Sequence, residues 1–330
     1  MLFRSKERGK SDCASGVTKG VFSLFVLQEL LFLGLRASYV GVDTYGYVFN
    51  FLHPESMNER WEPLFKLLNI TLRSLTDNVS VYLLVTAALS IIPISVVIYK
   101  YSEKPFFSWY VYICMYYFSF NFSGIRQSIA AGFLALAFLA IMEKKYVTAV
   151  LMILVASGFH TSALIFLVAI FIRNHKWKMP EYFILAAVYA VIFVFRQQIF
   201  IFIISIAYEE YEVVQTNAYT WMLLNVMLLL LLFMLSSRIR NDEILTFSLN
   251  LMAVGCAFLL LTSVGDNVLR IANYFTVFMT VAIPNALKKL EKKIEPIVLI
   301  MGVVVLAVFY YIHLSGDPYM IIPYRLEYLI

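Results

Sequence analysis

Charge is what this chain has least of. Only 14% of its 330 residues are Asp, Glu, Lys or Arg, while 62% are hydrophobic; ordinary globular chains hold about 25% charged and roughly 45–50% apolar residues. A soluble fold is therefore a poor reading, and no polar stretch is long enough to form a domain by itself. Cysteine is scarce too. Cys13, Cys114 and Cys256 are odd in number and without paired spacing, which argues against a disulfide framework or a zinc site. Gly-rich phosphate loops, His-Glu-x-x-His and paired Asp-x-Asp are all missing, so neither a cofactor nor a metal is expected. Gly/Ser linkers, low-complexity tracts and internal repeats are missing as well.

What is present is a series of apolar runs. A span needs about 20 apolar residues to cross a hydrocarbon core of ~30 Å at 1.5 Å per residue. Eleven spans are expected, at 18–35, 80–99, 106–122, 128–142, 146–159, 161–172, 181–204, 218–235, 244–263, 269–286 and 294–313. The predicted class is an all-α polytopic membrane protein, with a basic cytoplasmic tail over 1–19 and one transmembrane domain over 20–330 that includes an external loop at 36–79. A cleaved signal peptide is disfavoured, because Arg36-Ala37-Ser38 is a poor cleavage site and many spans follow.

The formal net charge of +5 does not point to nucleic acid, since the basic residues sit in short clusters between apolar runs. Alternating the sides places 18 of the 26 Lys and Arg inside, which puts the amino terminus in the cytoplasm and the carboxyl terminus outside. The outward set is Arg36, Arg60, Lys66, Arg73, Arg126, Arg196, Arg270 and Arg325. Seven of these eight are Arg, the side chain whose planar fork grips phosphate or carboxylate.

Within the external loop, Leu64, Leu68, Leu72 and Leu75 share one helical face, and Lys66, Asn69 and Arg73 share another, the pattern of a helix lying in the interface. An acidic loop follows at Glu209-Glu210-Tyr211-Glu212, read as a solvated loop. The runs from 128, to 159 and from 161 are too short to span at helical rise. Their outer ends should stop below the surface, so that Arg126, Gln127 and His160 line a recess open to the outside. Charged groups at such depth are functional candidates; the structural alternatives are a capping or snorkelling Arg126 and a packed His160. Arg270, Asn273 and Tyr274 share a helical face, where Arg270 either holds a phosphate or pairs with Asp266 or Asp43. Arg36 closes the first span, with Asp43, Tyr45 and Tyr47 close behind. Glu29 lies about 10 Å deeper than Arg36 along the same helix and is read as structural.

Several short motifs occur in order. They are Gly34-Leu35-Arg36, Val40-Gly41-Val42-Asp43-Thr44-Tyr45-Gly46-Tyr47, Glu62-Pro63-Leu64-Phe65, Gly124-Ile125-Arg126-Gln127-Ser128 and Gly158-Phe159-His160-Thr161-Ser162. Later come Arg270-Ile271-Ala272-Asn273-Tyr274-Phe275 and Ile322-Pro323-Tyr324. Together they resemble the EpsG and Wzy-like polysaccharide polymerases over most of the chain, apart from the basic tail.

The resemblance implies a glycosyltransferase of the outer face of a bacterial inner membrane, which builds capsule, exopolysaccharide or O-antigen. Its partners would be an undecaprenyl-diphosphate-linked donor, a lipid-linked acceptor and membrane lipids, with a chain-length regulator and a flippase. On that reading Arg126, Arg270 and Arg36 hold the donor diphosphate, His160 deprotonates the acceptor hydroxyl, and Asp43 or Glu62 orients His160 or binds sugar. Tyr47, Gln127, Asn273 and Tyr274 complete the substrate contacts. A flippase, an O-antigen ligase and a non-catalytic assembly partner are the competing functions.

Overall fold

The computed structural model describes residues 12–207, 219–234, 242–262 and 266–327. All of the regular structure among them is helical, apart from one isolated bridge between Arg36 and Leu326. The acidic loop at 209–212 lies outside the described residues.

In chain order the helices are α1 (Asp12–Gly34), α2 (Thr44–Leu52), α3 (Pro63–Leu75), α4 (Val79–Tyr101), α5 (Pro105–Cys114), α6 (Tyr117–Phe120), α7 (Ile125–Met142) and α8 (Tyr146–Phe159). After a 3-10 segment (Thr161–Leu167) come α9 (Val168–Ile172), α10 (Met179–Val194), α11 (Arg196–Ala207) and α12 (Tyr219–Met234). The last four are α13 (Glu243–Leu259), α14 (Asp266–Thr276), α15 (Met279–Leu287) and α16 (Glu295–Gly316).

Four of them, α1 from Gly16 onward, α4, α7 and α16, are long and apolar enough to cross a membrane. A fifth span forms if α10 and the following Arg196–Phe202, bent by 75°, count as one. The expected run 181–204 is therefore a bent pair, and α1 begins at Asp12 rather than at 18. Three other expected spans are also interrupted. The run 106–122 breaks where Tyr116 takes a φ of 60°, a left-handed conformation that is costly for an aromatic residue; 269–286 divides between α14 and α15; and 161–172 opens with a 3-10 turn. Hydropathy sums are blind to such breaks, because the residues on either side are equally apolar.

The centre of the bundle is α7, flanked by α4 and α8. Gly132 permits the close approach to α4, since a Cβ there would stand 2.1 Å from the Leu89 carbonyl, the small-residue packing on which membrane helices rely. Phe138 of α7 stacks on Phe247 and Phe278, with ring centroids 5.0 and 4.3 Å away, and so ties α13 and the α14–α15 junction to the same core. By contrast α16 buries only Leu306 and Phe309 and exposes most of its other apolar side chains, as a lipid-facing helix does.

The helix expected within 36–79 is realised as α3, though with a different face inward. It docks on α8, where Leu64 fills the space left by Gly158. Phe65 and Asn69 are fully buried, and the Asn69 amide donates to the Phe65 carbonyl at 2.7 Å. Leu67, Ile70 and Leu75 are 58, 51 and 76% exposed. The expected polar face thus turns inward at Asn69, because docking on protein sets the helix rotation where the interface alone would have set it differently.

Candidate active site

The α7 amino terminus, the α8 carboxyl terminus and the α3 amino terminus meet at one end of the bundle. Each contributes a residue by virtue of how its helix starts or stops. Glu62 is the N-cap of α3 and is followed by Pro63 at the first helical position, which fixes the helix start without requiring an N–H there. His160 ends α8 with extended backbone and opens the 3-10 turn. Arg126 and Gln127 lie in the first turn of α7.

Glu62 is the hub. Its Oε2 accepts from Arg126 Nη1 at 2.7 Å, and its Oε1 accepts from the Thr161 N–H at 3.1 Å and lies 3.0 Å from His160 Nδ1. The carboxylate is 8% exposed, the imidazole 14% and the guanidinium 22%. Burial by itself would raise the Glu62 carboxyl, but the neighbouring imidazole and the Arg126 charge outweigh it and hold the group at about 2. On the other side of the ring, the Gln127 amide stands 2.9 Å from His160 Nε2. With the amide nitrogen toward the ring it donates, so Nε2 is the acceptor and the ring proton sits on Nδ1 facing Glu62.

Arg126 also lies over the Trp61 ring at 5.2 Å and has its Nε 3.5 Å from the Tyr47 hydroxyl. Tyr47 is buried between Trp61 and Phe65. Beside this group is a second, looser pair. Asp43 accepts from the Ser123 hydroxyl at 3.0 Å and faces Arg270 at 3.8 Å, each about one third exposed. Of the two acids proposed to orient His160, it is Glu62 that touches it. Of the two partners proposed for Arg270, Asp43 is the one seen, while the Asp266 side chain lies outside the described residues. Tyr274 is buried, with its hydroxyl 3.3 Å from Ser162. Asn273 and Arg270 border a small, mostly apolar cavity of about 40 Å3 that runs past Ser128 and Asn121.

Arg36 is placed differently from expectation. It is 2% exposed, and its guanidinium donates to the carbonyls of Leu33, Asn121 and Phe122 and to the Thr44 hydroxyl. It locks the 36–44 loop to the segment after α6 and does not face the Glu62 cluster. Gly41 completes that seat: at a φ of 105° it passes so close to Phe122 that a Cβ would fall 1.9 Å from the carbonyl. Four contributors escaped the sequence reading, namely Trp61, Ser123, Ser162 and the Thr161 amide. Trp61 at least had a local signal, as an aromatic immediately before Glu62 in a polar stretch.

No group of three or more His, Cys, Asp or Glu placed to hold a metal occurs among the described residues. What the arrangement offers is an imidazole fixed by a carboxylate, beside two guanidinium groups with spare donors. That is equipment for removing a proton from a hydroxyl while stabilising an anionic leaving group. Comparison with curated proteins returns no match, nor does comparison with solved structures. The EpsG family profile matches residues 20–326, nearly the whole chain and every residue of this cluster. This membrane-embedded chain belongs to the EpsG family, a Wzy-like polysaccharide polymerase family.

Proposed function

We propose that the Glu62 cluster is the transfer centre of a polysaccharide polymerase, open to the extracytoplasmic side of a bacterial inner membrane. In this reading eleven membrane passes leave the amino terminus inside and the carboxyl terminus outside, with α3 on the outer surface. A glycan is moved from its undecaprenyl diphosphate carrier to the non-reducing end of a lipid-linked repeat. The observation that carries the proposal is the sharing of one buried carboxylate by Arg126, His160 and the Thr161 amide.

The acceptor hydroxyl displaces the Gln127 amide from His160 Nε2 and gives up its proton there. Its oxygen bonds to the anomeric carbon of the donor, and the bond from that carbon to the diphosphate oxygen breaks, with the electron pair leaving on the diphosphate. Glu62 holds the Nδ1 proton in place and stabilises the imidazolium that forms. Arg126 and Arg270 meet the negative charge that develops on the leaving group, in a setting partly shielded from water where such donors count for more than in bulk. Asp43 keeps Arg270 in register and lies where a sugar hydroxyl can reach it, and Asn273 and Tyr274 line the approach.

Purified protein incubated with lipid-linked repeats tests this. New lipid-linked oligomers that vanish in His160→Ala support it. Translocation without new glycosidic bonds would favour a flippase, and transfer only to a different acceptor would favour a ligase.

A further inference from the structure

The half of α1 nearest the cluster carries a groove of about 750 Å3 lined by Leu24, Leu27, Leu31, Leu35, Phe32 and Tyr324. Its size is that of a ligand site, and its lining is mostly apolar, with Gln28 and Arg325 the exceptions. Leu24, Leu27 and Leu31 are 64, 48 and 42% exposed, so the groove opens sideways, away from the bundle. Leu24 to Leu35 covers about 17 Å of helix, roughly half of a hydrocarbon core.

The far wall is built by the C-terminal segment. Tyr324 stacks on Phe32 with centroids 4.1 Å apart and donates its hydroxyl to the Phe32 carbonyl at 2.9 Å. The Asp317 carboxylate accepts the Ile321 and Ile322 N–H groups at 2.7 and 2.9 Å and pins the segment. Arg325 borders the groove at the α1 end, exposed and with no carboxylate partner among the described residues. An apolar slot along a helix long and apolar enough to cross a membrane, with one cation at its end, is complementary to a lipid phosphate.

Arg36 fixes the relation between groove and cluster. Its backbone pairs with Leu326 on the groove side, flanked by the Ala37 N–H donating to the Arg325 carbonyl at 2.8 Å and the Glu327 N–H donating to Leu35 at 3.0 Å. Its guanidinium reaches Thr44, next to Asp43, at 3.4 Å. One arginine side chain thus separates the two sites. The geometry points to Arg325 and this groove as the seat of the acceptor's carrier: the polyprenyl tail in the slot and its phosphates on Arg325. The assignment rests on the polymerase reading. The reacting hydroxyl of the acceptor is a whole repeat unit away from its own carrier phosphates, so those phosphates cannot occupy the Arg126–Arg270 centre that holds the donor's.

Native mass spectrometry of the purified full-length chain with undecaprenyl phosphate, against phosphatidylglycerol as the bilayer-lipid control, tests the seat without requiring transfer. Leu27→Trp/Leu31→Trp places bulk on lipid-exposed positions that folding does not use, and Arg325→Ala removes the cation. Measured in an Arg126→Ala background, which empties the donor centre and should keep the groove-bound lipid, each should weaken retention of undecaprenyl phosphate about tenfold and leave phosphatidylglycerol retention unchanged. Undiminished retention in both groove variants overturns the assignment. So does equal competition by phosphatidylglycerol, which would make this an ordinary annular lipid site, or a dimer that the tryptophans abolish. Normal polymer from His160→Ala cells would instead remove the polymerase reading, whatever the groove binds.

Discussion

The two ends of α7 are both ringed by ion pairs, yet they are wired differently. At the carboxyl end the pairs are numerous and separate. Glu143 takes Lys100 and Lys145 at 2.5 and 2.7 Å, Lys104 meets Glu295 at 2.9 Å, Lys289 meets Asp242 at 2.9 Å, and Arg173 meets Glu243 at 3.0 Å. Most are partly exposed, and they tie neighbouring helix ends together. At the amino end, beside the looser Asp43–Arg270 pair, one carboxylate accepts from Arg126 and the Thr161 N–H and lies against the His160 ring, and an aromatic face and a glutamine amide complete the set. The difference is between redundancy and convergence. Where many pairs share the work, the loss of one is tolerated; where one acid orders everything, its neighbours have no substitute.

The sharpest way to break this contrast is to remove the convergent partners. His160→Ala should reduce transfer by about 10²–10⁴-fold, the usual worth of a positioned base, and Arg126→Ala by about 10²–10³-fold, that of a donor meeting developing charge. The readout is the repeat-unit ladder of polymer extracted from cells in which the protein is present at wild-type abundance. Glu62→Gln keeps the shape and removes the charge, so it should cost less activity than His160→Ala and should also change stability with pH. The folded Glu62 carboxyl lies at about 2, below its ordinary 4.5, so its contribution is fully present above the ordinary value and is lost as pH falls through the folded one. Allowing for some access of water, that is about 2 kcal/mol. Thermal denaturation of the wild type should therefore fall more steeply between pH 4.5 and 2 than that of the variant, and parallel curves would show that the hub is not electrostatic.

Arg173→Ala sets the scale at the other end. Its guanidinium is 3% exposed and also donates to the Met142 carbonyl, so the loss should cost about 2–3 kcal/mol and lower protein abundance, with unchanged polymer length per molecule. Lys100→Ala should be the smallest effect, below about 1 kcal/mol in a melting experiment and silent in polymer length. If Lys100→Ala shortened polymer as much as Glu62→Gln, the two ends would not differ in kind.

Much of the site could be read from the residues, and the limits of that reading have physical causes. Short turns and short apolar runs were enough to bring Arg126, Gln127 and His160 to one end, since local spacing decides which helix ends are neighbours. The choice between Asp43 and Glu62 could not be made from spacing. Both sit in a long loop, and what separates them is the docking of α3 on α8 through Leu64 and Gly158, a tertiary fact. Arg36 had the right chemistry for a phosphate, but the left-handed turn at Tyr116 returns the Asn121 and Phe122 carbonyls to it. Span boundaries were legible where a helix runs straight, as in α4 and α7. They were not legible where an equally apolar run bends at Phe195 or breaks at Tyr116.

The hub acid is delivered by α3, whose unburied side presents Leu67, Ile70 and Leu75. If α3 lies on the membrane surface as proposed, the bilayer serves as a mould in which the Glu62 carboxylate is set. Lipid thickness and lateral pressure then become variables of the chemistry itself: a soft or undersized micelle lets α3 tilt and the Glu62 contacts loosen, whereas a well-matched nanodisc keeps the acid on its histidine.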